Sequence, residues 1–148
     1  MTPLLDVKLL VAVAWPNHVH HQLAQGWLRS QLQKGWATCP LTQSGFIRVS
    51  ANSRAIPEAK KPVEAWDFLG RITALSGHRF WEDRIDLSDS DSWGITHLTG
   101  YRQVTDAHLL AIAMDHGGCL ATLDRAIATL PLPGKSAKQH VWVVLDEK

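Results

Sequence analysis

Two kinds of hydrophobic pattern alternate along the chain. Short, continuous apolar runs predict strands at residues 4–5, 36–39, 78–81, 119–122 and 141–145. Longer apolar or amphipathic segments predict helices at 7–15, from about 18 to 34, at 42–52, 63–75 and 106–116. In the second of these, Val19, Leu23 and Trp27 recur at helical spacing. A polar stretch at 53–62 predicts a loop, and the acidic, serine-rich stretch at 83–92 predicts a loop or a loosely held helix.

Polar and turn-forming residues predict where these helices begin and end. Asn17, Thr42 and Thr105 precede helical segments and are expected to be N-caps, because their side chains accept hydrogen bonds from the first free N–H groups. The pair Gly117-Gly118 is expected to end the helix before it.

Strands that alternate with helices are typical of a parallel α/β sheet, and we expect one domain over residues 1–148. Sites in such sheets lie beyond the carboxyl ends of the strands, near the point where the strand order reverses. Asp6 and Asp124 each follow an apolar run, and Asp106 opens a predicted helix. We therefore expect these three carboxylates to lie at one edge of the sheet.

The composition is typical of a cytoplasmic globular domain. A chain of 148 residues, 45% of them apolar, can bury an adequate core without disulfides. Cys39 and Cys119 do not make the cysteine framework of a small secreted domain, and no apolar stretch reaches the roughly 18 residues of a membrane span. The first residues lack a basic region and are interrupted by Asp6, which argues against a secretory signal. We expect a cytoplasmic protein that does not bind membranes.

The charge of the chain limits how it could bind nucleic acid. The formal charge is +1, so binding to a polyanion needs a local basic patch or a metal ion. Clustered carboxylates repel one another unless a proton or a cation lies between them. Oxygen ligands alone favour Mg²⁺ or Mn²⁺, and such an ion supports hydrolysis of a nucleic-acid backbone. The alternative for each aspartate is a helix cap, and the residues alone leave both alternatives open.

Three segments of the chain resemble a known family. LLDVKLLVA, residues 4–12, resembles the first strand and helix of PIN-domain nucleases. CPLTQSGFIRV, residues 39–49, resembles the second helix of the VapC-type toxins in that family. VTDAHLLAIAMDHGGCLATLDRAI, residues 104–127, is similar to the VapC pattern of TDA, an apolar helix, a glycine pair and a strand that ends in T-x-D. The segments occur in the family's order and span nearly the whole chain.

The resemblance implies a PIN-like, three-layer α/β/α fold with a central parallel sheet, usually as a homodimer. It implies an endoribonuclease that depends on Mg²⁺ or Mn²⁺, with Asp6, Asp106 and Asp124 as catalytic residues and metal ligands. It also implies the toxin of a type II toxin–antitoxin pair. The antitoxin would fold onto this chain and block its site, and DNA would be bound only indirectly, through the antitoxin.

Two residues depart from the family pattern. Gln43 stands where many relatives have a glutamate, and its amide oxygen reaches a metal or a water without adding charge. Lys8 stands where an asparagine is common. If Lys8 points inward, it contacts phosphate or neutralises a carboxylate, and if it points outward it has no special role. Both departures bear on the affinity for a metal.

Other side chains have predicted supporting roles. Thr122 is expected to hydrogen-bond Asp124 or a metal-bound water, with an ordinary strand-closing role as the alternative. Arg48, Arg125 and Lys8 are candidates for contacts with RNA phosphate. The alternative for Arg48 is pairing with a surface acid, and the alternative for Arg125 is a solvated position in the first turn of a helix. Trp15 and Trp27 are candidates for a groove that receives a partner.

Three other functions are alternatives to a nuclease. A catalytically weak module that binds RNA or a protein partner on the same fold is motivated by Gln43 and Lys8. Phosphoryl transfer through an aspartyl nucleophile is disfavoured, because it needs an acid two residues after the first, where Lys8 stands. A receiver-type signalling domain is also disfavoured. Its acceptor aspartate ends a strand in the middle of the strand sequence, whereas here the acids end the first strand and a late one.

Overall fold

The structure is a computed structural model that describes residues 1–57, 60–89, 91, 93–132 and 135–146. Its strands are β1 (Pro3–Leu5), β2 (Trp36–Thr38), β3 (His78–Phe80), β4 (Cys119–Thr122), β5 (Pro131–Leu132), β6 (Lys135–Ser136) and β7 (Val141–Val143). Its α-helices are α1 (Val7–Ala14), α2 (His21–Gln31), α3 (Pro40–Ser50), α4 (Pro62–Thr73) and α5 (Val104–Asp115).

The central sheet is parallel and has the strand order β3-β2-β1-β4-β7. From β1 the chain adds β2 and then β3 on one side, and it returns through α5 to place β4 on the other side of β1. The strand order therefore reverses between β1 and β4. Sites in open α/β sheets form at this kind of switch point, beyond the carboxyl ends of the two strands.

Helices cover both faces of the sheet, because successive strand residues point to opposite sides. Leu4 packs in a core cluster with α5, whereas its neighbour Leu5 packs in a second cluster with α1 to α4. Ala37 and Trp36 divide between the two clusters in the same way. The predicted three-layer α/β/α fold with a central parallel sheet is therefore confirmed.

All three predicted N-caps are wrong. Helix α2 begins only at His21, after turns that include Asn17, and His20 is its N-cap residue. Pro40 starts α3, so Thr42 lies inside its first turn, where its hydroxyl accepts a hydrogen bond from the N–H of Cys39 at 3.0 Å.

The third wrong cap is Thr105. It lies inside the first turn of α5, which begins one residue earlier at Val104. Short polar side chains serve the first turn of a helix from more than one position, so their presence marks the turn better than its first residue.

Two expectations about apolar side chains are also wrong. Val19 lies before α2 and is 86% exposed, and Leu23 is partly exposed, because the buried face of α2 is formed by Ala24, Trp27 and Leu28 instead. Trp15 and Trp27 are buried in the core and do not line a surface groove. The Trp15 ring donates its Nε1 hydrogen bond to Oγ of Ser50 at 3.0 Å, which joins α1 to the end of α3.

The connections agree with the predicted loops where they are described. Residues 53–57 and 83–89 form turns and extended chain, and residues 58, 59, 90 and 92 lie outside the described part. Strands β5 and β6 form a small antiparallel pair that the pattern did not predict. In the described part of the chain, no helix is both long and apolar enough to span a bilayer.

Candidate acidic site

The carboxyl ends of β1 and β4 carry two of the predicted acidic residues. Asp6 follows β1 directly, and Asp124 comes two residues after β4. Asp106 lies in the first turn of α5, and it interacts electrostatically with both of them. We call these three residues, which share one edge of the sheet at the switch point, the acidic rim.

Both carboxylate oxygens of Asp6 accept hydrogen bonds. The residue is 4% exposed. Oδ1 accepts from the N–H of Leu9 at 2.8 Å and so caps α1, while Oδ2 accepts from the hydroxyl of Thr122 at 2.5 Å. Each oxygen has a second lone pair. Asp6 is therefore a helix cap and a member of the rim at once, and capping does not prevent it from binding a cation.

Two members of the rim, Asp6 and Asp106, resist ionisation. Burial raises the pKa of Asp6 to about 6, and the charge of Asp106 adds to the rise, whereas hydrogen bonds from Thr122 and Leu9 and the charge of Lys8 oppose it. Burial and the charge of Asp124 raise the pKa of Asp106, and Lys8 again opposes the rise. Added positive charge favours the ionised form of both groups, so the rim is suited to bind a cation.

Asp124 also combines a cap with a charge contact. Its Oδ1 accepts a hydrogen bond from the N–H of Ala126 at 2.9 Å, at the start of the 3-10 helix Arg125–Thr129. Its Oδ2 lies 4.0 Å from Nζ of Lys8. Lys8 thus approaches the carboxylates, although its side chain remains 74% exposed. The structure favours the inward alternative for this residue.

Thr122 joins two members of the rim. Its hydroxyl donates to Asp6 and accepts from the backbone N–H of Asp124 at 3.0 Å. Thr122 is fully buried, so these bonds are shielded from water. The single hydroxyl orients the Asp6 carboxylate and the chain that leads to Asp124.

Gln43 lies at the same edge of the sheet, one strand further out. Its Nε2 donates to Oγ1 of Thr38, the last residue of β2, at 3.0 Å. Nε2 of His78 lies 2.7 Å from the same hydroxyl. Because the Thr38 hydroxyl accepts from Gln43, its own proton is free to be donated to Nε2 of His78, provided that this nitrogen is unprotonated. Burial lowers the pKa of His78 and so favours the neutral ring that this arrangement needs.

Sequence reasoning missed Thr38 and His78. Thr38 ends a buried strand at the sheet edge, as Thr122 does, so its position in the sequence carried the same signal. No local signal pointed to His78, because its contact with Thr38 comes from the pairing of β2 with β3.

The two predicted arginine contacts to RNA differ in position. Arg125 follows Asp124 directly and is exposed at the rim. Arg48 is exposed in the last turn of α3, more than one helical turn beyond Gln43. Contacts between RNA and these side chains, or Lys8, stay predictions.

The rim suits a hard divalent cation by its donors. Its carboxylates, with nearby hydroxyl and amide oxygens, are the ligands that Mg²⁺ and Mn²⁺ prefer. The geometry is looser, since no three His, Cys, Asp or Glu side chains among the described residues lie close enough together to hold a metal ion. Asp6 and Asp124 are tied to helix starts, and like charges keep the carboxylates apart. The residues fit such an ion in type and charge, and their side chains must adjust to enclose it.

Comparison with known proteins identifies the class to which this fold and site belong. The family model described as the PIN domain matches residues 4–131. The chain belongs to the PIN-domain family, which confirms the resemblance found in its three segments.

Relatives from Mycobacterium tuberculosis (strain ATCC 25618 / H37Rv) cover most of the chain. Ribonuclease VapC38 is 46% identical over 127 residues, 86% of this chain and 88% of that protein. Ribonuclease VapC39 is 42% identical over 128 residues, 86% of this chain and 92% of that protein. Ribonuclease VapC44 is 40% identical over 141 residues, 95% of this chain and 98% of that protein. The chain is therefore similar to VapC ribonucleases over nearly their full length.

Proposed function

We propose that this protein is an endoribonuclease that depends on Mg²⁺ or Mn²⁺, with Asp6, Asp106 and Asp124 as its catalytic residues and metal ligands. The observation that carries the proposal is the acidic rim, in which one buried and two half-buried carboxylates, electrostatically coupled through Asp106, lie at the switch point of a parallel sheet. The names of the relatives, which call them ribonucleases, support RNA as the substrate.

The residues of the chain have distinct tasks in this proposal. Asp6, Asp106 and Asp124 would hold the ion, and Thr122 keeps Asp6 in its orientation through the hydroxyl hydrogen bond. When bound, the cation supplies a Lewis acid that neutralises charge developing on the scissile phosphodiester.

Contacts outside the carboxylates would position the substrate. Arg125, beside Asp124, is placed to bind a neighbouring phosphate, and Arg48 would bind phosphate further along α3. Gln43 turns its amide N–H toward Thr38, which leaves its amide oxygen to accept a hydrogen bond from water or to contact the ion. For Lys8, the contact with Asp124 favours a role at the carboxylates over a phosphate contact.

Metal-dependent cleavage of RNA by the purified chain tests the proposal. Total cellular RNA is incubated with the protein in Mg²⁺, in Mn²⁺ and in EDTA, together with Asp6→Asn, Asp106→Asn and Asp124→Asn. Asp115→Asn is the matched control, because Asp115 lies at the other end of α5 and pairs with Arg84 on the surface. We expect discrete fragments from the wild type and the control only, and only with a divalent ion.

A second function is a catalytically weak module that binds RNA or a protein partner. It is favoured by Lys8, which brings positive charge to the rim, and by Gln43 in place of an acid. Such a module would show little affinity for Mn²⁺ and no cleavage in the same assay. That result, from folded protein, would replace the nuclease proposal with this one.

The resemblance and the VapC names of the relatives support a proposal about the protein's partner, oligomeric state and cellular location. We propose that the protein is the toxin of a type II pair, acts in the cytoplasm, forms a homodimer and is inhibited by a small antitoxin that also provides any DNA binding. Light scattering after size exclusion tests the dimer. Co-purification with the product of an adjacent short reading frame, with loss of RNA cleavage in the complex, tests the antitoxin.

A further inference from the structure

Lys8 is a charged residue whose position the local fold does not explain. It lies in the first turn of α1, where the partial positive charge of the helix amino terminus opposes a cation. Its Nζ lies 4.0 Å from Oδ2 of Asp124, and its charge also lowers the pKa values of Asp6 and Asp106. One ammonium group therefore acts on every carboxylate of the acidic rim.

We propose that Lys8 is a tethered cation that competes with the divalent ion for the rim, and so raises the concentration of Mg²⁺ or Mn²⁺ at which the site fills. This inference rests on the proposed function, because it concerns the same site. The ammonium group and the ion are attracted to the same carboxylates and repel each other, so each lowers the occupancy of the other. When all three carboxylates are ionised, Lys8 cancels one of their three negative charges. The two that remain equal the charge of one divalent ion.

Because Lys8 is exposed, it weakens cation binding at the acidic rim without preventing it. An exposed ion pair at this distance is weak and its side chain is free to move, so an arriving ion displaces the ammonium group. The result is a nuclease whose site fills in a higher range of free cation than it would with a neutral residue at this position.

Binding of Mn²⁺ to the full chain without RNA tests the role of Lys8. The free ion is measured by electron paramagnetic resonance at low ionic strength. Lys8→Met keeps the aliphatic stem and removes the charge, and we expect its Kd for Mn²⁺ to fall by about five- to tenfold. Lys8→Arg keeps the charge and should bind like the wild type. The gap between Lys8→Met and the wild type should narrow as salt is added, because the effect is electrostatic.

Two variants show where the ion binds. Lys34→Met is the matched control, because Lys34 is an exposed lysine before β2, at the opposite edge of the sheet, and its loss should leave the Kd unchanged. Asp6→Asn should abolish tight binding, which ties the titration to the rim.

The outcomes separate this inference from the proposed function. Equal Kd values for Lys8→Met and the wild type, with RNA cleavage intact, overturn the role of Lys8 and leave the nuclease standing. Weaker RNA binding by Lys8→Met in EDTA, without a change in Mn²⁺ affinity, also overturns it and assigns Lys8 to the RNA backbone. Absence of Mn²⁺ binding in every variant, in protein with native circular dichroism, overturns both proposals.

Discussion

The hydroxyl of Thr122, at the end of β4, donates a 2.5 Å hydrogen bond to Oδ2 of Asp6, at the end of β1. Both groups are buried, and the same hydroxyl accepts from the backbone of Asp124. This contact crosses the switch point of the sheet and couples two acidic residues that are far apart in the sequence. The Thr122 side chain therefore contributes both to the stability of the fold and to the orientation of the acidic residues.

Replacement of Thr122 by valine should lower the stability of the fold and the rate of RNA cleavage. Thr122→Val leaves Oδ2 of Asp6 buried without its donor, which we expect to cost about 1–3 kcal/mol of unfolding free energy. The pKa of Asp6 should rise further, because a hydrogen bond that lowers it is lost. Urea unfolding and RNA cleavage measure the two effects. Thr122→Ser keeps the hydroxyl and should stay near the wild type, and unchanged cleavage by the valine variant would contradict the positioning role.

The charge of Asp6 should make the stability of the fold depend on pH in the presence of EDTA. The pKa of Asp6 is about 6 in the folded chain against an ordinary 3.8, a difference that corresponds to about 3 kcal/mol. A raised acid pKa means that the unfolded state loses its proton first as pH rises. The wild type should therefore lose stability between about pH 4 and pH 6, relative to Asp6→Asn.

Urea unfolding across this pH range measures the difference between the two proteins. As the pH rises from 4 to 6, the stability of the wild type should fall relative to that of Asp6→Asn by up to about 3 kcal/mol, whatever the fixed cost of the hydrogen bond that Asn cannot accept from Thr122. A constant difference across the range would show that the Asp6 carboxyl is not perturbed by burial. Asp67→Asn, at an exposed surface pair on α4, is the control that should show no such trend.

A glutamate at position 43 should change the hydrogen bonds as well as the charge. Gln43 donates to Thr38, and a glutamate at this position cannot donate when ionised. The Thr38 hydroxyl would then donate to residue 43 and accept from a protonated Nε2 of His78. We expect Gln43→Glu to raise the pKa of His78 and to tighten Mn²⁺ binding several-fold, about the effect of one added charge in water.

The proton resonances of His78 and a Mn²⁺ titration measure these changes. Gln43→Glu combined with Thr38→Val breaks the hydrogen-bond chain and should restore a low pKa at His78. If the His78 pKa rises in the double variant as well, a through-space charge effect and not the hydrogen-bond chain is responsible.

The contact of α1 with α3 depends on Gly45. A Cβ at this position would overlap the side chain of Val7, the residue between Asp6 and Lys8. We expect Gly45→Ala to destabilise the fold by about 1–3 kcal/mol through overpacking, against the gain that alanine normally brings to a helix. Thermal or urea unfolding measures the change.

Two comparisons isolate the cause of the Gly45 effect. Gly26 lies within α2 with open space around it, so Gly26→Ala should stabilise by about 0.5–1 kcal/mol. Val7→Ala should remove most of the cost of Gly45→Ala in the double variant. Additive effects of the two substitutions would show that the contact with Val7 is not the origin.

The elements themselves were largely predictable from local residues. The strands at β1, β2 and β4 are short apolar runs, and such runs leave few alternatives once polar or glycine-bearing stretches bound them. Acids after β1 and β4 were also visible, since the end of a strand is a local feature. The wrong caps at Asn17, Thr42 and Thr105 show the limit of local reasoning, because several positions in a first turn satisfy the same N–H groups.

What the sequence by itself determined is the alternation of strands and helices, the family resemblance and the prediction that Asp6, Asp106 and Asp124 lie at one edge of the sheet. What only the tertiary structure decided is which groups meet: Thr122 with Asp6 across neighbouring strands, Lys8 with Asp124, and Gln43 with Thr38 and His78. The physical reason is that strand order and register are set by burial summed over the whole sheet. The raised pKa of Asp6 was also decided by the tertiary structure, because desolvation depends on all the groups packed around the carboxyl and not on its neighbours in the chain.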